Sequence, residues 1–138
     1  MTEPQPGHLS HELRLCAATG ALSAGIAVAL GAFGAHSLRA ILSPEMTGAF
    51  ETGVRYQMFH AAGMIATGIG GLVLGGSARR FLLAGWAFLA GSILFSGSLY
   101  LIAFSGAGWV GAITPMGGVL FMGGWVVLAN AILHRRAV

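Results

Sequence analysis

Side chains able to do chemistry are few in this chain, and most fall in one stretch. The segment from His36 to Gln57 reads HSLRAILSPEMTGAFETGVRYQ and is followed at once by His60. On a helix turning about 100° per residue, Glu51 and Arg55 share a face as an i,i+4 pair in the favourable acid-first order. Thr52, Tyr56, Gln57 and His60 form a second polar face, roughly 100° to 200° away from Glu51. His36, Glu51, Arg55, Tyr56, Gln57 and His60, with Thr114 from a later segment, make a candidate polar cluster. Three chemistries suit such a set. Glu51, Arg55 and His60 are the residue types that move a proton or handle a small ion. His36 and His60, with Glu51 as a third ligand, are what a metal or haem centre would need. The third reading is structural: an ion pair tying the segment to its neighbours, with hydrogen-bonding residues joining helices.

Spacing gives the catalytic and metal readings little support. No HxxxH, CxxC or CxxCH occurs, and no phosphate-binding glycine loop, nucleophile elbow or kinase signature is present. Met58, Met64 and Met116 fit adaptable packing better than copper ligation. The chain is therefore read without catalytic residues, metal ligands or cofactor, as a non-enzymatic protein whose small-molecule or ion ligand is open.

The elements that must position these residues follow from composition. Of 138 residues, seven are basic and four acidic, 8% in all against roughly 25% in soluble domains. The hydrophobic share is 56% and the mean hydropathy +0.81. So few charges cannot cover a water-facing surface. From Phe81 to Leu133 there is no acidic or basic side chain, a run long enough for two bilayer crossings of about 20 residues each. Four spans are expected, at residues 15–35, 58–76, 81–104 and 109–133, between a flexible polar tail (1–14) and a short C-terminal tail (134–138). Ser43-Pro44-Glu45 signals a helix start inside the first loop, as N-cap, N1 proline and first-turn acid. That predicts a short extra helix in the loop, either separate from the second span or continuous with it. Thr114-Pro115 reads as a similar start.

All seven basic residues are arginines. Arg14, Arg79, Arg80, Arg135 and Arg136 fall on one side of a four-span arrangement, and Arg39 and Arg55 on the other. The positive-inside rule then places both termini in the cytoplasm. The polar cluster converges at the outer leaflet, where Arg39 is read as solvated and Tyr56, Tyr100 and Trp109 as an aromatic belt. Nucleic acid is excluded as a partner, because the arginines form no continuous patch despite a pI near 10. The lipid bilayer is the expected partner, with a homo-oligomer open.

Twenty-three glycines are present, and their spacing is helical. Gly63, Thr67, Gly71 and Gly75 lie four apart, beside a row of Ala62, Ala66 and Gly70. Ala27, Gly31 and Ala35 form another row, and Gly117 and Gly124 are one heptad apart. Small residues on one face let helices approach closely in lipid. Gly31, Gly34, Gly63, Gly71, Gly117 and Gly124 are accordingly read as packing positions in preference to a pore lining.

Three blocks, GALSAGIAVALGAFGAHSL (20–38), FETGVRYQMFHA (50–61) and ITPMGGVLFMGGW (113–125), resemble the signature blocks of the domain-of-unknown-function 423 family. These are YgdD-like small proteins of bacterial inner membranes, with TMEM-type relatives in eukaryotes. The resemblance runs from about Gly20 to the last span. The motif positions it matches are Gly31, Gly34, His36, Phe50, Glu51, Arg55, Tyr56, Gln57, His60, Thr114, Pro115, Gly117, Gly118, Gly124 and Trp125. It implies a four-helix integral membrane protein and carries no activity with it. The expectation is an all-α, four-helix transmembrane bundle, N-in and C-in. Its expected role is structural, accessory or small-solute handling, with ion transport through Glu51, Arg55 and His60, or a redox role through His36 and His60, as alternatives.

Overall fold

The computed structural model describes residues 6–74 and 77–134, and the protein is all helix over that range. Four long helices, α1 (Pro6–His36), α2 (Pro44–Val73), α3 (Ala78–Ser105) and α4 (Thr114–Leu133), are joined by short connections. Two of those connections contain 3-10 turns, at Leu38–Ala40 and Gly108–Ala112. Leu13 meets Gly68 and Gly71, and Gly34 meets Phe50, so α1 and α2 run antiparallel. Gly53 against Tyr100 and Gly70 against Phe81 set α2 and α3 antiparallel, and Phe88 against Gly124 and Phe95 against Gly117 do the same for α3 and α4. Helix α3 packs against all three others, whereas α4 lies along α3, barely reaches α2 and does not meet α1.

Three segments, Gly7–Ala40, Ala78–Ser105 and Gly108–Leu133, are long and apolar enough to cross a membrane. Helix α2 falls short by that measure. Its first half carries Glu45, Glu51, Arg55, Gln57 and His60, and its second half is rich in glycine, alanine and threonine.

Several boundaries differ from the sequence reading. The loop helix is not separate: α2 starts at Pro44, with Ser43 Oγ accepting from Met46 N at 3.3 Å, and continues unbroken to Val73. Nothing between Gly48 and His60 breaks it, since glycine lowers helix propensity without removing a backbone donor. Residues 6–14, read as tail, are the first turns of α1. Leu13 is buried and Leu9 packs beside it on the main core with Cys16, Met64 and Phe81, so the apolar stripe begins before the charges end. Thr114 does not cap α4. Ile113 holds the cap position, and the Thr114 hydroxyl is engaged with Ser98 instead, at 2.7 Å. Helix α3 ends at Gly106, whose φ of 66° is the left-handed conformation glycine adopts without strain. Gly75, Arg135, Arg136 and the ends of both tails lie outside the described residues.

Close approach explains the glycines. An added Cβ at Gly117 would lie 2.5 Å from the Phe95 backbone nitrogen, and one at Gly124 would lie 2.6 Å from the Phe88 ring. Gly71 faces Leu13 at 2.5 Å, Gly34 faces Phe50 at 2.8 Å, Gly63 faces Phe88 at 3.0 Å and Gly31 faces Val54 at 3.3 Å. Glycine thus admits large aromatic rings as well as backbones. Ala62 and Ala66 are exposed and make no such interface.

Candidate functional site

The seven residues read as one polar cluster separate into distinct groups. Glu51 pairs with Arg39, whose Nη2 donates to Glu51 Oε1 at 2.9 Å. Glu51 thus pairs with Arg39 in place of the expected Arg55, while Arg39, read as solvated, is indeed 63% exposed. The 3-10 turn at Leu38–Ala40 carries Arg39 back over the start of α2, and one guanidinium is enough to satisfy the carboxylate. Arg55 is exposed and takes part in neither ion pair found among the described residues, His8–Glu12 and Arg39–Glu51. His36 is the exposed last residue of α1.

Gln57 makes the second group. It is 9% exposed and bridges three helices. Its Nε2 donates to the Ser23 carbonyl on α1 at 3.1 Å, and its Oε1 accepts from the Tyr100 hydroxyl on α3 at 2.8 Å. Each amide end thus has a partner of the right sense, as a buried amide requires. Ser92 Oγ and Ser96 Oγ on the same helix as Tyr100 are buried without a protein partner. Ser92 opens onto a cavity of about 310 Å³ shared with Ser23, Gln57 and Tyr100. The Ser98–Thr114 bond separately ties the last turns of α3 to the start of α4.

The third group is aromatic. His60 is 4% exposed, and its Nδ1 lies 2.8 Å from the Tyr56 carbonyl, which fixes that nitrogen as the donor. Its ring stacks on Phe121 of α4 with centroids 3.4 Å apart and planes within 8°. Tyr56 stacks on Phe95 of α3 at 4.4 Å, and Phe88 and Trp125 meet at 4.7 Å. Because α4 barely reaches α2, these rings line an open groove of about 480 Å³ between the two helices. Tyr56, Phe59, His60, Phe95, Phe121 and Trp125 form most of its wall, with Gly118 and Met122 on the α4 side and Arg55 its single charged residue. A second groove, about 550 Å³, lies on the other side of α2 between Gly31 and Phe59 and contains the Arg39–Glu51 pair as well as Arg55.

His36 and His60 are not brought together. His36 ends α1 at the level of Phe50, whereas His60 lies roughly 15 Å further along α2, facing α3 and α4. Among the described residues no group of three or more His, Cys, Asp or Glu could hold a metal ion. The sequence reading missed Ser23, Arg39, Phe95 and Phe121 as partners. Serine and glutamine in an apolar helix signal interhelical bonding, but which helix they meet is a tertiary matter. For Phe95 and Phe121 the only signal was their place in an otherwise apolar run.

Comparison with known proteins converges on one family. A model described as "Protein of unknown function (DUF423)" matches residues 30–118. A UPF0382 membrane protein of Staphylococcus epidermidis is 45% identical over 114 residues, covering 83% of this chain and 91% of the relative. UPF0382 membrane protein YwdK of Bacillus subtilis is 41% identical over 112 residues, or 81% and 90% of the two chains. UPF0382 inner membrane protein YgdD of Escherichia coli is 41% identical over 120 residues, or 84% and 88%. No solved structure matches. The matched region includes all of Arg39, Glu51, Arg55, Gln57 and His60, and on its family model and its relatives alike the chain belongs to the DUF423 (UPF0382) family.

Proposed function

We propose that this protein is a four-span inner-membrane module of structural or accessory type, with both termini cytoplasmic, and that it has no reaction of its own. The observation that carries this reading is the Gln57 bridge. A glutamine with both amide ends engaged by α1 and α3 ties three helices together, the structural use of a buried polar group between membrane helices. Helix α2 crosses with its neighbours because it packs between α1 and α3 along their lengths, so Gln57, His60 and Thr67 are buried against protein. Exposed Arg14, Arg79 and Arg80 gather at one end of the bundle, and Arg39 and Arg55 at the other. Inner-membrane residence is supported by the Escherichia coli relative, an inner membrane protein. The topology is tested with reporters fused at the C-terminus and inserted at Gly108. A cytoplasmic signal at the first and an external signal at the second are expected, and the reverse pattern overturns the orientation.

A second reading, proton or small-ion transfer, has one observation in its favour: Arg55 and His60 line the same groove. It requires pH-dependent flux in proteoliposomes that disappears in His60→Ala. On the structural reading, loaded vesicles leak no faster than empty ones, and a protein-dependent flux sensitive to His60 would replace it.

A further inference from the structure

We infer that the groove between α2 and α4 is a binding site for one anionic phospholipid, with an acyl chain along the aromatic wall and the headgroup phosphate on Arg55. The inference goes beyond the module reading and leans on it only for α2 crossing the bilayer.

Three observations converge on this occupant. The first is depth. Starting from Phe81, about 20 residues of α3 cross a hydrocarbon core of about 30 Å and reach the level of Tyr100. Gly53 packs directly on Tyr100, so Arg55 lies about 3 Å inside that boundary. A guanidinium there extends to the phosphate layer while its stem stays in the apolar zone. The second is length. From Gly118 to Trp125 the α4 wall runs about 10 Å inward, enough for the upper part of an acyl chain. The wall stays open because Gly118 projects nothing into it, and a Cβ placed there would only touch the Phe95 ring at 3.9 Å.

The third observation is charge. Among the described residues Arg55 is the only charged one lining this groove, and the nearest acid on its own face, Glu51, is taken by Arg39. The remaining groups facing the groove, from α3 and α4 as well as α2, are aromatic or apolar apart from the Tyr56 hydroxyl and the His60 ring. An apolar slot with one free cation at the interface complements a lipid of net negative charge. A zwitterionic lipid brings its own ammonium to the phosphate and gains less from Arg55.

The test uses the tryptophan in the groove as reporter. A Trp86→Phe, Trp109→Phe protein, which keeps Trp125, is reconstituted into phosphatidylcholine vesicles. Either brominated phosphatidylglycerol or brominated phosphatidylcholine is then mixed in at equal fraction. Quenching of Trp125 is expected to favour the anionic lipid by about fivefold, the effect of one arginine near an anionic surface. The preference falls to about one in Arg55→Gln, is largely retained in Arg55→Lys and is unchanged in Arg79→Gln at the other end of the bundle, whereas Arg39→Gln, which releases Glu51 beside Arg55, lowers it. Gly118→Leu, which fills the slot without touching the charge, reduces quenching by either lipid. Far-UV circular dichroism checks that each variant is folded. No preference in the parent protein overturns the site, as does a preference untouched by a folded Arg55→Gln. If Arg55→Gln fails to fold, unchanged quenching in Gly118→Leu overturns it instead. Failure of any of these leaves the reporter-fusion topology standing, so the two readings fail separately.

Discussion

Gln57 differs from the other polar residues in having every strong hydrogen-bonding need met by another helix. Replacing it with leucine removes the bonds to Ser23 and Tyr100 together and leaves the Tyr100 hydroxyl without its partner. Interhelical hydrogen bonds in membrane proteins are worth about 0.6 kcal/mol on average and rarely above about 1.7. Gln57→Leu is therefore expected to lower unfolding stability in detergent by about 1 to 2 kcal/mol, and Tyr100→Phe by less. The two changes should be non-additive in a double-mutant cycle, because they remove one shared bond. Full additivity would show that the bridge carries no coupling. Arg39 and Glu51 allow the complementary measurement. Their side chains are 63% and 39% exposed, so a coupling of only about 0.2 to 1 kcal/mol is expected between them, weakened by salt. Glu51 and Arg55 should show none.

At the scale of the helices, small residues decide the packing, and they are not equivalent. Gly117 sits against the Phe95 backbone, which cannot move aside, so Gly117→Ala is expected to cost about 1 to 3 kcal/mol through overpacking. Gly123 has nothing within 4 Å of an added Cβ and lies mid-helix in α4. Gly123→Ala should be neutral or stabilise by up to about 1 kcal/mol, the helix-propensity difference. Thermal melts of the two variants in one detergent make the comparison, and equal effects would contradict the assigned faces. Spacing in the sequence showed that glycines lined helix faces. It did not show which face met which helix: Gly63 and Gly71, on one stripe of α2, meet different partners, Phe88 of α3 and chiefly Leu13 of α1.

The molecule as a whole is three helices closely packed, with a fourth set mainly against α3. That asymmetry produces the α2–α4 groove. It also concentrates aromatic rings on α4, where Phe121 stacks on His60 of α2 and Trp125 lies beside it at the groove wall. Filling the groove should tighten the molecule: in vesicles containing anionic lipid, amide exchange in the first turns of α4 is expected to slow relative to zwitterionic vesicles. A uniform response across all four helices would point to a bulk effect of the bilayer.

Membrane class, helix number, the Ser43 cap and the family were legible in the sequence, because they depend on composition, local periodicity and contiguous motifs. Pairing among the polar residues was not legible. Glu51 has Arg55 one turn away and Arg39 twelve residues back, and only the path of the α1–α2 connection selects Arg39. Gln57, Tyr100 and Ser23 become partners only because α1 and α3 both pack on α2 at that height. The groove has no sequence signature, since it arises from what α4 does not touch. Local pattern determines what a helix is. The side of the bundle it occupies is set by which faces meet, and that is a property of the assembled chain.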